Sequence, residues 1–203
     1  MILLCIVTIF SKSTTANADD RYVKLCERYF TEFAEDYGKF GQKDGFTYLY
    51  SDKKNTATIV AIPMEQKKVA VPEKINGKTV TKIELMDVFS CSSNYYFRDE
   101  FYGEHEDNPV PKVEYLSIPK TVKVINIYAG IGLTEGYCGE LQSYLVHLKK
   151  FNVASANKWY RSYKGMLYTK NGKKLLLVPR KYMAKTVKVK KGTTKIADFA
   201  FSF

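Results

Sequence analysis

The chain has 203 residues and a formal net charge of +11, and 45% of its residues are hydrophobic. This length fits one domain, and the apolar content suffices for a buried core, which excludes a chain that is disordered throughout. The charge is uneven, because fifteen residues between Leu148 and Lys195 are Lys or Arg and none is acidic. Residues 84–107 hold seven acids and one base, Arg98. This asymmetry favours an anionic partner for the C-terminal half.

The first 18 residues are typical of a secretory signal. A nine-residue apolar run at 2–10 is followed by polar residues and then by Ala16-Asn17-Ala18, a layout that predicts cleavage after Ala18. The run is too short to span a membrane as a helix, which needs about 20 residues. We therefore predict a signal peptide at 1–18, a mature protein without a transmembrane span, and a secreted or cell-surface location. The alternative is a buried N-terminal strand, since no Lys or Arg precedes the run.

Residues 19–43 are predicted to be an N-terminal helical segment. Its apolar residues recur at helical spacing and would form one stripe that packs on the strands that follow: Tyr22, Leu25, Cys26, Tyr29, Phe30, Phe33 and Ala34. Beyond Asp44, short β-rich runs alternate with turn residues. The clearest predicted hairpin joins 166–170 to 175–178 through Asn171-Gly172, which suits a type I′ turn.

An imperfect internal repeat occupies most of the region 44–203. Segments 69–72, 116–119 and 187–190 alternate apolar residues and are followed by a closing Ile, and 151–153 is a weaker copy. One unit cannot bury its apolar face alone, so we expect the copies to stack as parallel strands. The expected repeat core is Val71, Ile83, Phe89, Cys91, Ile118, Ile125, Cys138, Val153, Val189 and Ile196.

This pattern resembles the BspA-like leucine-rich repeat of bacterial surface antigens. Residues 113–125 and 187–201 match its I-P-x-x-V-x-x-I and A-F elements best, and 157–179 resembles an interruption between repeats in that family. Lys190 replaces an expected Pro, and 94–112 is a long insertion. The resemblance implies an α/β leucine-rich-repeat solenoid that is β-rich, with stacked short parallel strands, β-hairpin insertions and an N-terminal helix. It also implies an exported, adhesion-type role without known catalytic residues.

Because the chain stops partway through a copy of the repeat, we expect the solenoid to be truncated at its C-terminus, with more repeats following in the intact protein. A solenoid cut there would expose its last apolar layer.

No arrangement of residues predicts catalysis, a metal or a cofactor. Cys91, His105, Cys138 and His147 are separated by 13, 32 and 8 residues, unlike the close paired ligands of structural zinc. Cys91 and Cys138 are either bridged or buried as free thiols, and the repeat favours thiols. Neither His stands in a nucleophile arrangement, and no glycine-rich phosphate loop is present. We therefore predict that the chain is not an enzyme.

Two groups of residues are candidates for ligand binding. The aromatic residues of the insertion would contact a protein or a carbohydrate, or fold back over the sheet as a flap. The second group lies in the basic region 148–195. In order, the candidates are Tyr95, Tyr96, Phe97, Phe101, Tyr102, Trp159, Tyr160, Arg161, Lys188 and Lys190.

These observations favour a non-catalytic binding or adhesion module. Its expected partner is a host or bacterial surface protein, or an anionic wall polymer or glycan. One alternative is a structural or targeting segment of a larger surface enzyme. Another is an electrostatic binder of nucleic acid, in which bases would stack on the aromatic rings, although export argues against this partner.

Overall fold

The described part of the computed structural model is rich in strands. It comprises Val23, Lys24, 26–28, Thr31, 38–85, 110–126, 145–198 and 200–201. Strands account for 40% of these residues and helical residues for 5%. The helical residues are Val23, Lys24, 26–28 and Thr31, and no helix of seven or more residues occurs within the described ranges.

Thirteen strands are present in these ranges. They are β1 (Phe40–Lys43), β2 (Phe46–Ser51), β3 (Thr56–Ala61), β4 (Lys68–Ala70), β5 (Lys74–Ile75), β6 (Lys78–Ile83), β7 (Tyr115–Ile118), β8 (Val124–Ile125), β9 (Lys150–Val153), β10 (Tyr160–Tyr163), β11 (Met166–Thr169), β12 (Lys174–Leu177) and β13 (Lys195–Ile196).

The first sheet contains six strands. β1, β2 and β3 form an antiparallel meander, whereas β3, β6 and β8 are parallel neighbours, and β5 pairs with β6 as a hairpin. Ile59, Ile83 and Ile125 lie side by side across the parallel part. Ile59 and Ile83 are buried, so this row contributes to the main core.

The second sheet is the parallel ladder β4–β7–β9. Val69, Leu116 and Phe151 lie side by side and are buried, because one face of each strand packs into the core. Ile118 pairs with Val153. Three copies of the repeat therefore pair in the register that their sequence alignment predicts.

The third sheet has the order β10–β11–β12–β13. Its first three strands are antiparallel, and β13 pairs with β12 in parallel. The turn between β10 and β11 lies next to the second sheet, since the Phe151 amide donates to the Gly165 carbonyl at 2.8 Å.

The predicted α/β leucine-rich-repeat solenoid is wrong. The described residues are β-rich and include no long helix, and within them the repeats do not close into a solenoid. The fourth copy leaves the stack: Val189 lies outside any strand and is 39% exposed. Ile196 pairs with Leu175 in the third sheet and is 53% exposed. The fourth copy leaves the stack because β10–β12 are inserted directly after β9. The Gly165 carbonyl in the β10–β11 turn accepts the hydrogen bond of the Phe151 amide.

The other residues of the expected repeat core differ in burial. Val71, Ile83 and Ile118 are buried, and Ile125 and Val153 are partly buried. Phe89, Cys91 and Cys138 lie outside the described residues, as do the predicted signal peptide and the aromatic residues of the insertion. Among the described residues, no helix is both long enough and apolar enough to cross a bilayer.

Asn157 joins the second copy of the repeat to the start of β10. This fully buried side chain donates through Nδ2 to the carbonyls of Pro119 at 2.8 Å and Val122 at 2.9 Å. Its Oδ1 accepts from the amides of Trp159 and Tyr160, both at 2.8 Å. An amide side chain can satisfy two donors and two acceptors in this way, which neither an apolar residue nor a carboxylate can do.

Candidate functional site

The predicted ligand residues in β10 and just before it have different surroundings. Trp159 is 38% exposed, and the Lys123 ammonium lies 5.6 Å from its ring centre. Tyr160 is partly buried, and its hydroxyl accepts from the Ile125 amide at 3.1 Å. Burial raises the pKa of Tyr160. Arg161 is exposed, and because successive residues of a strand point to opposite faces, it does not share a surface with Tyr160.

Lys188 and Lys190 also differ from each other. Lys188 is exposed. The Lys190 amide donates to the Tyr168 hydroxyl at 3.1 Å, and its ammonium donates to the Lys191 carbonyl at 3.2 Å. The structure therefore gives Lys190 contacts within its own fold and does not bring it together with Trp159 or Arg161 in a described cavity.

A different set of residues lines a cavity of about 210 Å³, which we call the basic groove. The groove brings together strands β7 and β9, the β10–β11 turn and the segment after β12. It is lined by Tyr115, Lys149, Lys150, Lys164, Tyr182, Met183 and Ala184. None of these residues was predicted from the sequence to bind a ligand.

Parallel pairing explains how part of the groove is built. Lys68, Tyr115 and Lys150 are side by side on β4, β7 and β9, each just before a buried residue, so they point outward. With strands about 4.8 Å apart, this row runs about 10 Å across the sheet. The Lys68 ammonium lies 6.0 Å from the Tyr115 ring centre. The row of Lys68, Tyr115 and Lys150 could have been predicted from the sequence by aligning the repeats and comparing the residues at their outward-facing positions.

The groove retains positive charge. Lys149 is paired with Glu114 at 2.8 Å, and this hydrogen bond raises the pKa of Lys149 and lowers that of Glu114. Lys68, Lys150 and Lys164 have no acidic partner among the described residues. Lys150 and Lys164 line the groove, and Lys68 is beside it on the neighbouring strand. The Lys164 ammonium lies 5.7 Å from the Tyr163 ring centre. These lysines therefore carry charge without an acidic partner in the part of the chain that the structure describes.

Lys164 occupies an unusual backbone position for a lysine. It has a φ of 51° in the two-residue turn between β10 and β11. The other non-glycine residues with positive φ among those described are Asp44, Asn55 and Asn76, whose short polar side chains tolerate this conformation. An added Cβ at Gly165 would meet Lys150 Cγ at 3.0 Å, so the turn lies directly beside Lys150. Lys164 therefore lines the groove from a backbone position that Asn or Gly would adopt with less strain.

Two solved structures are similar to the chain. A leucine-rich repeat protein from Eubacterium ventriosum is 20% identical, with 64% of this chain and 25% of that chain covered and a TM-score of 0.38. The pneumococcal vaccine antigen PcpA is 15% identical, with 81% of this chain and 62% of that chain covered and a TM-score of 0.33. The chain thus spans about a quarter of the first and less than two thirds of the second. No protein-family model and no curated protein matches it.

Replacing Lys164 by Asn should stabilise the protein. Asn adopts positive φ more readily in a turn followed by Gly, so we expect the free energy of unfolding to rise by about 0.5–1 kcal/mol. Urea denaturation followed by circular dichroism measures this change. The matched control is Lys54→Asn, in the exposed β2–β3 turn at negative φ, which should change stability by less than about 0.5 kcal/mol. A destabilised K164N would contradict this account of the turn.

The described residues contain no group of three or more His, Cys, Asp or Glu side chains that could hold a metal. His147 is exposed. Cys91, His105 and Cys138, whose spacing argued against a zinc site, lie outside the described residues.

Proposed function

We propose that the chain is a non-catalytic binding module, secreted or displayed at the cell surface, that holds an anionic polymer in the basic groove. The observation that carries this proposal is the placement of Lys164 at positive φ beside Lys150. A lysine at this turn position costs stability, and its compensating contribution is a positive charge at the groove.

The groove offers two kinds of contact to a polymer. Lys150 and Lys164 in the groove, with Lys68 beside Tyr115, supply ammonium groups for phosphate or carboxylate oxygens, which form charge-assisted hydrogen bonds. Tyr115, Tyr182 and Met183 supply apolar surface for the carbon backbone between the charges. Met183 is 77% exposed, so this apolar surface is available from solvent.

The surrounding charge supports a polyanion over a single small anion. Asp198 is the only acidic residue in the sequence from Leu145 onward. Lys174 and Lys195 are direct neighbours on β12 and β13 and both are exposed, at the end of the third sheet away from the β10–β11 turn. Like charges opposite each other on neighbouring strands are destabilising. A polymer with repeated negative charges that extends beyond the groove would relieve this repulsion.

Calorimetric titration of the full chain with poly(glycerol phosphate) tests the proposal. We expect saturable binding whose logarithmic association constant falls linearly with the logarithm of NaCl concentration between about 50 and 200 mM. The double variant Lys150→Gln/Lys164→Asn should bind more weakly and reduce the salt slope by about 0.7 per lysine removed, as for phosphates of a single-stranded nucleic acid.

Parallel titrations separate the alternatives. An acidic polysaccharide that binds more tightly than poly(glycerol phosphate) would identify carboxylates as the preferred anion. Preference for a single-stranded oligonucleotide, together with detection of the chain only in the cytoplasm, would contradict the surface role. Polymer shortened by incubation with the chain would contradict its non-catalytic character, and the absence of saturable binding would contradict the proposal as a whole.

A further inference from the structure

A second cavity, which we call the amide groove, lies at the first sheet and has a volume of about 370 Å³. It brings together β1, the end of β2 and the β5–β6 hairpin. Its lining includes Gln42, Tyr48, Tyr50, Asp52, Asn76 and Lys78. None of them belongs to the basic groove.

The groove depends on a close approach of Tyr48 to β1. Gly41 is the cross-strand partner of Tyr48, and an added Cβ at Gly41 would meet the Tyr48 hydroxyl oxygen at 2.5 Å. Only glycine therefore allows the tyrosine ring to lie across β1. The Asn76 Nδ2 group donates to the same hydroxyl at 2.6 Å, which ties the β5–β6 hairpin to β2.

The charged groups of the groove bind one another. Asp52 accepts from the ammonium groups of Lys78 at 2.7 Å and Lys39 at 2.9 Å. These hydrogen bonds, that of Lys78 first, lower the pKa of Asp52 to about 2, so the carboxylate is ionised at neutral pH. The Lys78 ammonium also lies 5.7 Å from the Tyr50 ring centre. Both lysines are thus already engaged.

The polar atoms of the amide groove that lack a hydrogen-bond partner among the described residues belong to uncharged side chains. The Tyr48 hydroxyl accepts from Asn76, and its own hydrogen has no acceptor among the described residues. Gln42 uses Nε2 to donate to the Val23 carbonyl at 2.6 Å and to Thr47 Oγ1 at 3.3 Å. The side-chain carbonyl oxygens of Gln42 and Asn76 have no donor within the described ranges. Gln42 pairs with Thr47 and lies on the opposite face of the sheet from Tyr48 and Tyr50. One donor, the Tyr48 hydroxyl, and one acceptor, the Asn76 amide oxygen, therefore remain on the side of the Tyr50 ring.

We propose that the amide groove binds a neutral sugar unit of a glycan. A sugar hydroxyl both donates and accepts, so it can satisfy the Tyr48 hydroxyl hydrogen and the Asn76 amide oxygen together. The apolar C–H face of a sugar ring can pack against an aromatic ring such as Tyr50. A phosphodiester or a carboxylate has no hydrogen to donate at neutral pH, and the lysine that lines the groove, Lys78, is already paired with Asp52. This site goes beyond the proposed polyanion binding and does not depend on it.

Titration of the full chain with a neutral tetrasaccharide of β-1,4-linked N-acetylglucosamine, and with its glucose counterpart, tests the proposal by calorimetry. The key variant is Asn76→Gly, because Asn76 has a φ of 44° and Gly keeps this turn while removing the side-chain amide. Its matched control is Asn55→Gly at a φ of 51° in the β2–β3 turn, which does not line the groove.

We expect saturable binding of at least one tetrasaccharide, with the association constant reduced about tenfold in N76G and unchanged in N55G. Tyr50→Ala should also weaken binding, whereas Tyr115→Ala in the basic groove should not. No binding of either tetrasaccharide, or equal binding by wild type, N76G and N55G, would overturn the proposal. Binding of poly(glycerol phosphate) should be the same in N76G and wild type, so that failure of one site is distinguishable from failure of the other.

Discussion

Replacing Asn157 by Ala is expected to lower the free energy of unfolding by about 4 kcal/mol, because the truncation leaves several partly or fully buried backbone groups without partners. Asn157 satisfies two carbonyls of the 119–122 turn and two amides at the start of β10. Loss of these bonds separates the second copy of the repeat from the third sheet. Urea denaturation of the purified chain measures the change.

The matched control is Asn152→Ala on the outward face of β9, which has no hydrogen bond to another described side chain. It should change stability by less than about 0.5 kcal/mol. Asn157→Asp keeps the two acceptors but turns a carboxylate toward two carbonyl oxygens. Those oxygens should raise its folded pKa above the unfolded value, so its destabilisation is greatest above the folded pKa and partly relieved at lower pH. Equal stability of N157A and N152A would contradict the bridging role.

Replacing Phe151 by Ala is expected to cost about 4 kcal/mol of unfolding free energy, as for other buried phenylalanines. Phe151 is 1% exposed, lies beside Leu116 in the parallel ladder, and donates through its amide to Gly165 in the turn of the third sheet. The cavity left by the ring lies where these two sheets meet, with little space to collapse. Thermal and urea unfolding both report the loss.

A comparison with two valines distinguishes this fold from a continuous solenoid. Val69→Ala, inside the ladder, should cost about 2 kcal/mol, whereas Val189→Ala at a partly exposed position should cost less than about 0.5 kcal/mol. Equal losses for the two variants would mean that the fourth copy is stacked on the third, which would contradict the structure.

The sequence predicted the pairing of three copies but not the point at which stacking ends. Val69, Leu116 and Phe151 are apolar at alternate positions, so burial of one face determines their register. Val187 and Val189 carry the same alternation and gave no local sign of leaving the stack. The end of the stack depends on a contact between residues distant in the sequence. The Phe151 amide, which a further parallel strand would need as a donor, donates instead to the Gly165 carbonyl in the β10–β11 turn.

The basic groove was only partly predictable. The charge of the C-terminal half predicted an anionic partner. The predicted ligand residues, such as Trp159 and Arg161, are aromatic and charged residues that lie close together in the sequence. The groove instead combines Tyr115, Lys150 and Lys164 from different strands and a turn, and only the β7–β9 pairing brings them together. A lysine before Gly165 in a hairpin turn, where Asn or Asp is usual, was the one local signal.

In the proposed function, Lys164 holds a positive charge in the basic groove for an anionic polymer. The affinity of poly(glycerol phosphate) for K164N and for K54N, two variants of equal net charge, tests this role. We predict that K164N binds about fivefold more weakly than wild type, as expected from the loss of one lysine near an anionic ligand, while K54N binds like wild type. Equal affinity of both variants and wild type would contradict the claim.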